Sequence, residues 1–234
     1  MRRPKLIDFA TCTQDDVIEF ARMIYAAYND SADSLEEMAQ HVVQELFGEF
    51  QDDQGEPAFA LLRMFRVSRY AELPDDLKPD ITDNGGHWLT LMSTVGLEAA
   101  WCDRHTSIHH QLQNMNQPLT PLIQAVFEQI GMKTDGSGVG IGVFSSADRS
   151  TGPGFFYVAD ALDSPHIVDI EEFVKPYGVK SVVAVGSPFR SGAAGLLVGF
   201  SRVPLSPEQA CYFANMGVYI FTLLAQHDEK RIWD

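Results

Sequence analysis

One segment of ten residues, Trp-Cys-Asp-Arg-His-Thr-Ser-Ile-His-His at positions 101–110, holds the densest group of side chains that could bind a metal. If the segment is helical, His105 and His109 lie one turn apart on one face, and Cys102 lies a turn before His105. Two imidazoles and a thiolate suit a soft transition metal or haem iron. The same pattern also fits a polar loop whose histidines are exposed or hydrogen-bonded. The candidate metal ligands are Cys102, His105 and His109, with His87 and His166 available from elsewhere in the chain.

Cys102 is also the candidate nucleophile of a thiol-dependent enzyme. A cysteine in a histidine-rich segment can have a lowered pKa and therefore more of the reactive thiolate. Cys211 lies in an apolar helical pattern, where packing is the simpler role, and Cys12 precedes the main body of the chain. Other catalytic signatures are missing from the sequence, which has no GxSxG, HExxH or P-loop pattern. The glycines at 138–142 lack the strand-turn-helix context and the later acidic residue of a dinucleotide site.

Composition excludes several classes of protein. The 234 residues contain 17 Lys and Arg against 32 Asp and Glu, which gives a net charge of −15. Such a chain repels the phosphate backbone of nucleic acids, so we expect no nucleic-acid partner. No apolar run approaches the roughly 20 residues that span a bilayer, and none follows the basic N-terminus as a secretory signal would. We therefore expect a cytoplasmic protein without membrane segments, and three widely spaced cysteines predict neither disulfides nor a cysteine-rich zinc site.

The elements that must position these residues follow from periodicity and turn chemistry. Helices are predicted at 13–29, 35–47, 118–131 and about 207–226, and a short one at 169–174. Strands are predicted at 58–67, at 87–100 with a turn at Gly96, and at 155–159, 179–185 and 195–200. The Gly-rich stretch 135–154 is typical of a mobile loop. Because the helices collect at the two ends of the chain, this order indicates an α+β fold in which a long irregular and helical insertion covers one face of the sheet.

The last helix carries two apolar stripes. Ser206-Pro-Glu predicts its N-terminus, because serine caps a helix and proline suits the first helical position. The stripes are Phe213, Met216, Ile220 and Leu224 on one side, and Ala214, Val218, Phe221 and Ala225 on the other. One small core cannot bury both stripes, so we expect a homodimer through the terminal helices.

The C-terminal third resembles the closing strands and terminal helix of GAF-type sensory domains. The resemblance is carried by Glu172–Val185, by Gly195–Glu208 and by the long apolar helix that follows. It extends to Ser34–Glu37 and Ala58–Phe65, which are similar to the first GAF helix and strand. Leu89–Gly96 and the segment after it are similar to GAF-related sensor segments of bacterial histidine kinases and diguanylate cyclases. It implies an antiparallel GAF-like sheet flanked by N- and C-terminal helices. We divide the chain into an N-terminal helix at 1–30 and a GAF-like sensor domain at 31–234.

The resemblance also implies a ligand pocket between the sheet and the segment from about Trp101 to Tyr177. Such pockets are lined by aromatic side chains with a few placed polar groups. The ligand-binding candidates are Trp101, Arg104, Ser107, His110, Tyr157, Tyr177 and Ser181. The aromatic candidates also have a plainer role in core packing, and Arg104 has one in a surface ion pair.

The expected function is therefore that of a cytoplasmic small-molecule sensor that does not catalyse a reaction. It would transmit its signal through the helical dimer interface or to a separate kinase or cyclase partner. The alternatives are a thiol-dependent redox enzyme similar to methionine sulfoxide reductases, and a haem- or metal-binding sensor. The sequence identifies neither the ligand nor a cofactor, since the pocket depends on the irregular middle of the chain.

Overall fold

The computed structural model describes residues 6–28, 32–78, 86–107, 112–115, 117–130, 155–189, 191, 193–228 and 231–233. The predicted loop at 135–154 lies outside these residues, as do the candidates His109 and His110.

Six antiparallel strands form the central sheet. They are β3 (Phe59–Arg69), β4 (His87–Gly96), β5 (Leu112–Asn114), β6 (Phe155–Val158), β7 (Ser181–Pro188) and β8 (Ala194–Ser201), in the spatial order β5-β4-β3-β8-β7-β6. Two short segments, β1 (Ile7–Asp8) and β2 (Phe50–Gln51), pair in parallel beside this sheet. The prediction missed β5, a three-residue edge strand that is held by its pairing with Trp88–Thr90 of β4.

Three helices cover one face of the sheet. They are α1 (Gln14–Tyr28), α2 (Leu35–Glu49) and α4 (Pro207–His227), and we call this side the helical face. Side-chain caps fix two of the starts, since Ser34 accepts from the Glu37 N–H and Ser206 accepts from the Gln209 N–H. The core between these helices and the sheet contains Phe50, Phe59 and Phe213 with the aliphatic side chains around them.

The opposite face carries α3 (Pro121–Gln129) and an irregular segment at 161–179 that includes one π-helical turn, Ile170–Val174. We call it the cavity face. Its smaller core packs Ile123, Val126 and Phe127 of α3 against apolar side chains of the sheet. The sheet is therefore the middle layer of three, and the expected α+β arrangement with terminal helices on one side is confirmed.

Both apolar stripes of α4 have neighbours inside the chain. Phe213, Met216, Ile220 and Leu224 are buried, and so are Ala214 and Phe221 of the second stripe. The sheet and α1, which packs along α4, provide most of this burial, while Val218 remains 48% exposed. The homodimer therefore stays a prediction, and burial of these stripes does not by itself require a second copy.

No helix within the described ranges is both long enough and apolar enough to cross a bilayer.

The central strand β3 contains three arginines. Arg69 is the exposed last residue of the strand, whereas Arg63 and Arg66 lie within its apolar part, Phe-Ala-Leu-Leu-Arg-Met-Phe-Arg-Val. A bulge at Ala60 shifts its register against β8, and from Leu61 onward the side chains alternate regularly between the two faces. Because Arg63 and Arg66 are an odd number of residues apart, they project from opposite faces of the sheet. Arg66 enters the helical face, and Arg63 enters the cavity face.

Candidate functional site

A cavity of about 350 Å³ lies on the cavity face, between the sheet, the start of α3 and the irregular segment after β6. Its volume is within the range of sites that enclose small molecules. The sheet contributes Leu61, Arg63, Phe65, Leu89, Val198 and Phe200; α3 and the residue before it contribute Thr120, Pro121, Leu122 and Ile123; the irregular segment contributes His166, Ile167, Val168, Asp169, Glu172, Phe173 and Tyr177; and Trp101 and Gln113 complete the lining.

Four aromatic rings form one end of this cavity. Trp101 lies edge-on to Phe173 with 5.6 Å between ring centroids and lies 4.6 Å from the Tyr177 ring, while Phe173 meets Phe200 edge-on at 5.1 Å. Gly96 permits this position of Trp101, because a Cβ at residue 96 would lie 2.8 Å from the indole and 2.9 Å from the Ala60 carbonyl oxygen. Such a cluster offers the faces and edges of several aromatic rings to a ligand.

Arg63 lies at the sheet end of the cavity. It is only 7% exposed and is paired across the sheet with Thr94 of β4 and Val198 of β8. Its Nη2 donates to the Ser107 Oγ at 3.2 Å, whereas its Nε has no hydrogen-bond acceptor among the described residues. Burial lowers the pKa of the Arg63 guanidinium to about 10, so the group is still protonated at neutral pH.

Thr94 adds a second unsatisfied polar atom beside Arg63. Directly paired residues of neighbouring strands project from the same face of a sheet. The Thr94 Oγ1 is buried and has no hydrogen-bond partner within the described part of the chain. The surroundings of Arg63 therefore combine a buried cation with unused hydrogen-bonding capacity, although Thr94 itself does not line the cavity.

The rim of the cavity has the opposite charge. The exposed carboxyl groups of Asp169 and Glu172 line its outer part. Gln113, Thr120 and His166 add further polar groups to the lining.

Of the ligand-binding candidates predicted from the sequence, Trp101 and Tyr177 line the cavity, and Ser107 contacts the lining residue Arg63. The Tyr177 hydroxyl donates to Glu98 at 3.1 Å and so turns its polar end away from the apolar rings.

Arg104 pairs with carboxylates, which is the plainer of the two roles expected for it. It donates through Nε to Glu36 and through Nη1 to Asp76 at 3.2 Å, and it lies over the Trp233 ring at 5.3 Å. Burial lowers the pKa of this guanidinium, but the two carboxylates outweigh that effect and raise it. Arg104 does not line the cavity.

Tyr157 and Ser181 also lie away from the cavity lining. The Tyr157 hydroxyl donates to the Leu205 carbonyl, and its ring packs against the core of the helical face. The Ser181 Oγ donates to the Ala159 carbonyl at 2.9 Å and accepts from the Leu205 N–H at 3.0 Å. Both side chains fix the loop that leads into α4.

The geometry on which the metal hypothesis depends is absent from the described part of the segment. Ala99–Trp101 is a single 3-10 turn and residues 103–106 form a turn, so no α-helix aligns Cys102 with His105. The His105 Nδ1 lies 3.4 Å from an Asp76 carboxylate oxygen. Within the described ranges there is no group of three or more His, Cys, Asp or Glu side chains that could hold a metal ion.

None of the three cysteines lines the described cavity. Cys12 is buried, and burial together with the carboxylates of Asp16 and Asp8 raises the pKa of its thiol to about 11, which disfavours the thiolate. Cys211 is exposed on α4. Cys102 is exposed next to Trp101, and its thiol donates to the Gly96 carbonyl oxygen at 3.4 Å.

Sequence reasoning missed Arg63. A charged residue between apolar neighbours on a central strand is the signal that could have found it, since buried cations are rare unless paired. The sequence did not show which of Arg63 and Arg66 lacks a carboxylate partner.

No protein-family model matches the chain, and no curated protein matches it either. Solved structures do match. The GAF domain of a phosphoenolpyruvate-protein phosphotransferase from Coxiella burnetii is 12% identical with a TM-score of 0.51, over 93% of this chain and 98% of that domain.

Two further solved structures also match most of the chain at low sequence identity. The free methionine-R-sulfoxide reductase of Neisseria meningitidis, in complex with its substrate, is 12% identical with a TM-score of 0.54, over 97% of this chain and 99% of that one. The A. aeolicus nlh2 GAF domain, in an inactive state, is 11% identical with a TM-score of 0.50, over 91% of this chain and 95% of that one. At these identities the likeness shows the fold alone. The chain therefore has a GAF-like α+β fold, which occurs both in proteins described as GAF domains and in a free methionine-R-sulfoxide reductase.

Proposed function

We propose that this protein binds a small molecule in the cavity on the sheet and acts as a sensor domain rather than as an enzyme. The cavity itself is the observation that carries this proposal: it is about 350 Å³ in volume, mostly apolar, rich in aromatic rings, and lined by no cysteine. Its volume and its apolar, aromatic lining are typical of small-molecule binding sites. A thiol enzyme would instead need its nucleophilic cysteine inside the cavity.

The proposed mechanism is a shift between two populations of the protein. The ligand would contact the sheet, whose other face packs against α1, α2 and α4. A change in the packing of these helices would pass either to a second copy of the chain or to a separate kinase or cyclase partner.

Filling the cavity tests its role in binding. Leu122 lies in the lining and is half-buried, so Leu122→Trp should occupy part of the space with little strain. Leu162→Trp is the matched control, since Leu162 is 43% exposed and lies outside the lining. We expect compounds found by ligand-observed NMR on the wild type to lose binding in Leu122→Trp and to keep it in Leu162→Trp. Equal binding to all three proteins would contradict the proposed location.

A thiol-dependent reductase is the second candidate, because Cys102 is exposed and adjacent to a residue of the cavity lining. Turnover of free methionine sulfoxide, lost in Cys102→Ser and retained in Cys211→Ser, would favour this candidate over the sensor. The exposed Cys211 on α4 makes the second variant a suitable control.

A further inference from the structure

We infer that the cavity binds a small monocarboxylate with an apolar or aromatic body, and that Arg63 holds its carboxylate group. This inference rests on the proposed ligand-binding function and specifies its chemistry.

The charge of Arg63 has no counter-charge in the described part of the chain. Among the described residues its only polar contact is the Ser107 hydroxyl, a neutral group, and no carboxylate lies within ion-pair distance. A buried charge without a counter-charge is costly, so proteins pair nearly all of them. Both other buried arginines, Arg66 and Arg104, follow this rule with two carboxylates each. An anionic ligand would supply what Arg63 lacks.

A guanidinium is suited to a planar anion. Its N–H groups form a rigid fork that matches the two oxygens of a carboxylate, and such charge-assisted pairs are stronger than neutral hydrogen bonds. The Arg63 Nε is buried without an acceptor in the described chain, and the directly paired Thr94 hydroxyl is also unused. A carboxylate that replaced the Ser107 hydroxyl at Arg63 would therefore lie next to unused hydrogen-bonding groups.

The surrounding charges limit the ligand to a single negative group. Arg63 is the only Lys or Arg side chain in the described lining, while Asp169 and Glu172 occupy the rim. The protein as a whole carries a net charge of −15. A ligand with several phosphates would be repelled at the rim and would find one cation inside, whereas a monocarboxylate would balance that cation.

The remaining walls favour an apolar body. Trp101, Phe173, Tyr177 and Phe200 form the aromatic end, and Leu61 and Leu89 extend the apolar surface over the sheet. An aromatic ring or a branched alkyl chain would contact these side chains while its carboxylate reaches Arg63.

Matched probes test the charge requirement on the wild-type protein. We would measure by isothermal titration calorimetry the affinities of 3-phenylpropionate, 3-phenylpropionamide, 4-methylpentanoate, 4-methylpentanamide and inorganic phosphate. We expect at least one acid to bind at least about tenfold more tightly than its amide, because a charge-assisted hydrogen bond is lost in the amide. Phosphate should bind more weakly than that acid.

Variants assign the charge to Arg63. In Arg63→Met the preference for acid over amide should disappear, while Arg22→Met, an exposed arginine on α1, should retain it. Because the acid and amide are compared on the wild type, the inference does not depend on the folding of any variant.

Three outcomes would overturn the inference. These are equal binding of each acid and its amide, tighter binding of phosphate, and failure of every acid to bind. If an acid and its amide bind equally and Leu122→Trp abolishes both, the proposed cavity stands and only the charge assignment fails. If Leu122→Trp leaves the affinity for the acid unchanged, both the inference about Arg63 and the proposed binding in this cavity fail.

Discussion

Two arginines on one strand show how the two faces of this sheet differ. Arg66 is fully buried on the helical face, where its Nε donates to Asp228 at 2.9 Å and its Nη1 to Glu72 at 3.1 Å. Arg63, three residues earlier, is almost equally buried on the cavity face and contacts only a hydroxyl among the described groups. A charge that is neutralised within the fold serves stability. A charge that is left unneutralised beside a cavity is better explained by what enters the cavity.

The largest expected effect is on the helical face. Arg66→Met would leave two carboxyl groups, those of Asp228 and Glu72, without their buried counter-charge. We expect the free energy of unfolding to fall by about 3–5 kcal/mol. Urea unfolding followed by circular dichroism would measure this change. A loss below about 1 kcal/mol would show that the ion pairs of Arg66 contribute little to the stability of the fold.

Replacing the arginine on the cavity face with methionine should change the free energy of unfolding in the opposite direction. Arg63→Met removes a buried charge that has no counter-charge in the described chain, and it leaves only the Ser107 hydroxyl without its donor. Without ligand, we expect the free energy of unfolding to rise by about 1–2 kcal/mol. A decrease as large as that of Arg66→Met would mean that Arg63 has a stabilising partner, and the comparison would fail.

The smallest effect is on the pH dependence of stability. Burial raises the pKa of Glu72, but the Arg69 N–H and the charge of Arg66 outweigh it, so the net shift is downward. A carboxyl group whose pKa is lowered by folding stabilises the protein above its unfolded pKa, which is about 4.3 for Glu, and loses that contribution as pH falls through the lowered value. Urea unfolding between pH 5 and pH 3, roughly the range around and below that value, would measure this loss. The loss of stability with falling pH should be shallower in Glu72→Gln and unchanged in Arg63→Met. A changed pH dependence in Arg63→Met would instead indicate a carboxylate close to Arg63.

Most of the fold could be predicted from the sequence because its signals are local. The Ser206-Pro-Glu cap of α4 and the short apolar runs of β7 and β8 depend only on neighbouring residues, and these elements lie close to where they were expected. The strand β5 has only three residues, so its pairing with β4 depends on tertiary structure.

The candidate site was only partly predictable, for a physical reason. Aromatic residues in the connections between strands, such as Trp101 and Tyr177, mark a region where loops cover a sheet. The difference between Arg63 and Arg66, however, depends on Asp228, which is 162 residues from Arg66 in sequence. Alternation along the strand shows that the two arginines face opposite sides, but only the packed structure shows which side supplies the carboxylates.

The segment that contains both Arg104 and Ser107 connects the cavity to distant parts of the chain. Ser107 contacts Arg63, while Arg104 binds Glu36 at the start of α2 and lies over the Trp233 ring. The backbone of α2 in turn donates from the Glu36 N–H to the Ile232 carbonyl oxygen at 2.9 Å. If an anion replaces Ser107 at Arg63, occupancy of the cavity and attachment of residues 231–233 become linked equilibria. Each would then change the other by the same free energy, and amide hydrogen exchange at Glu36 would report the state of the cavity.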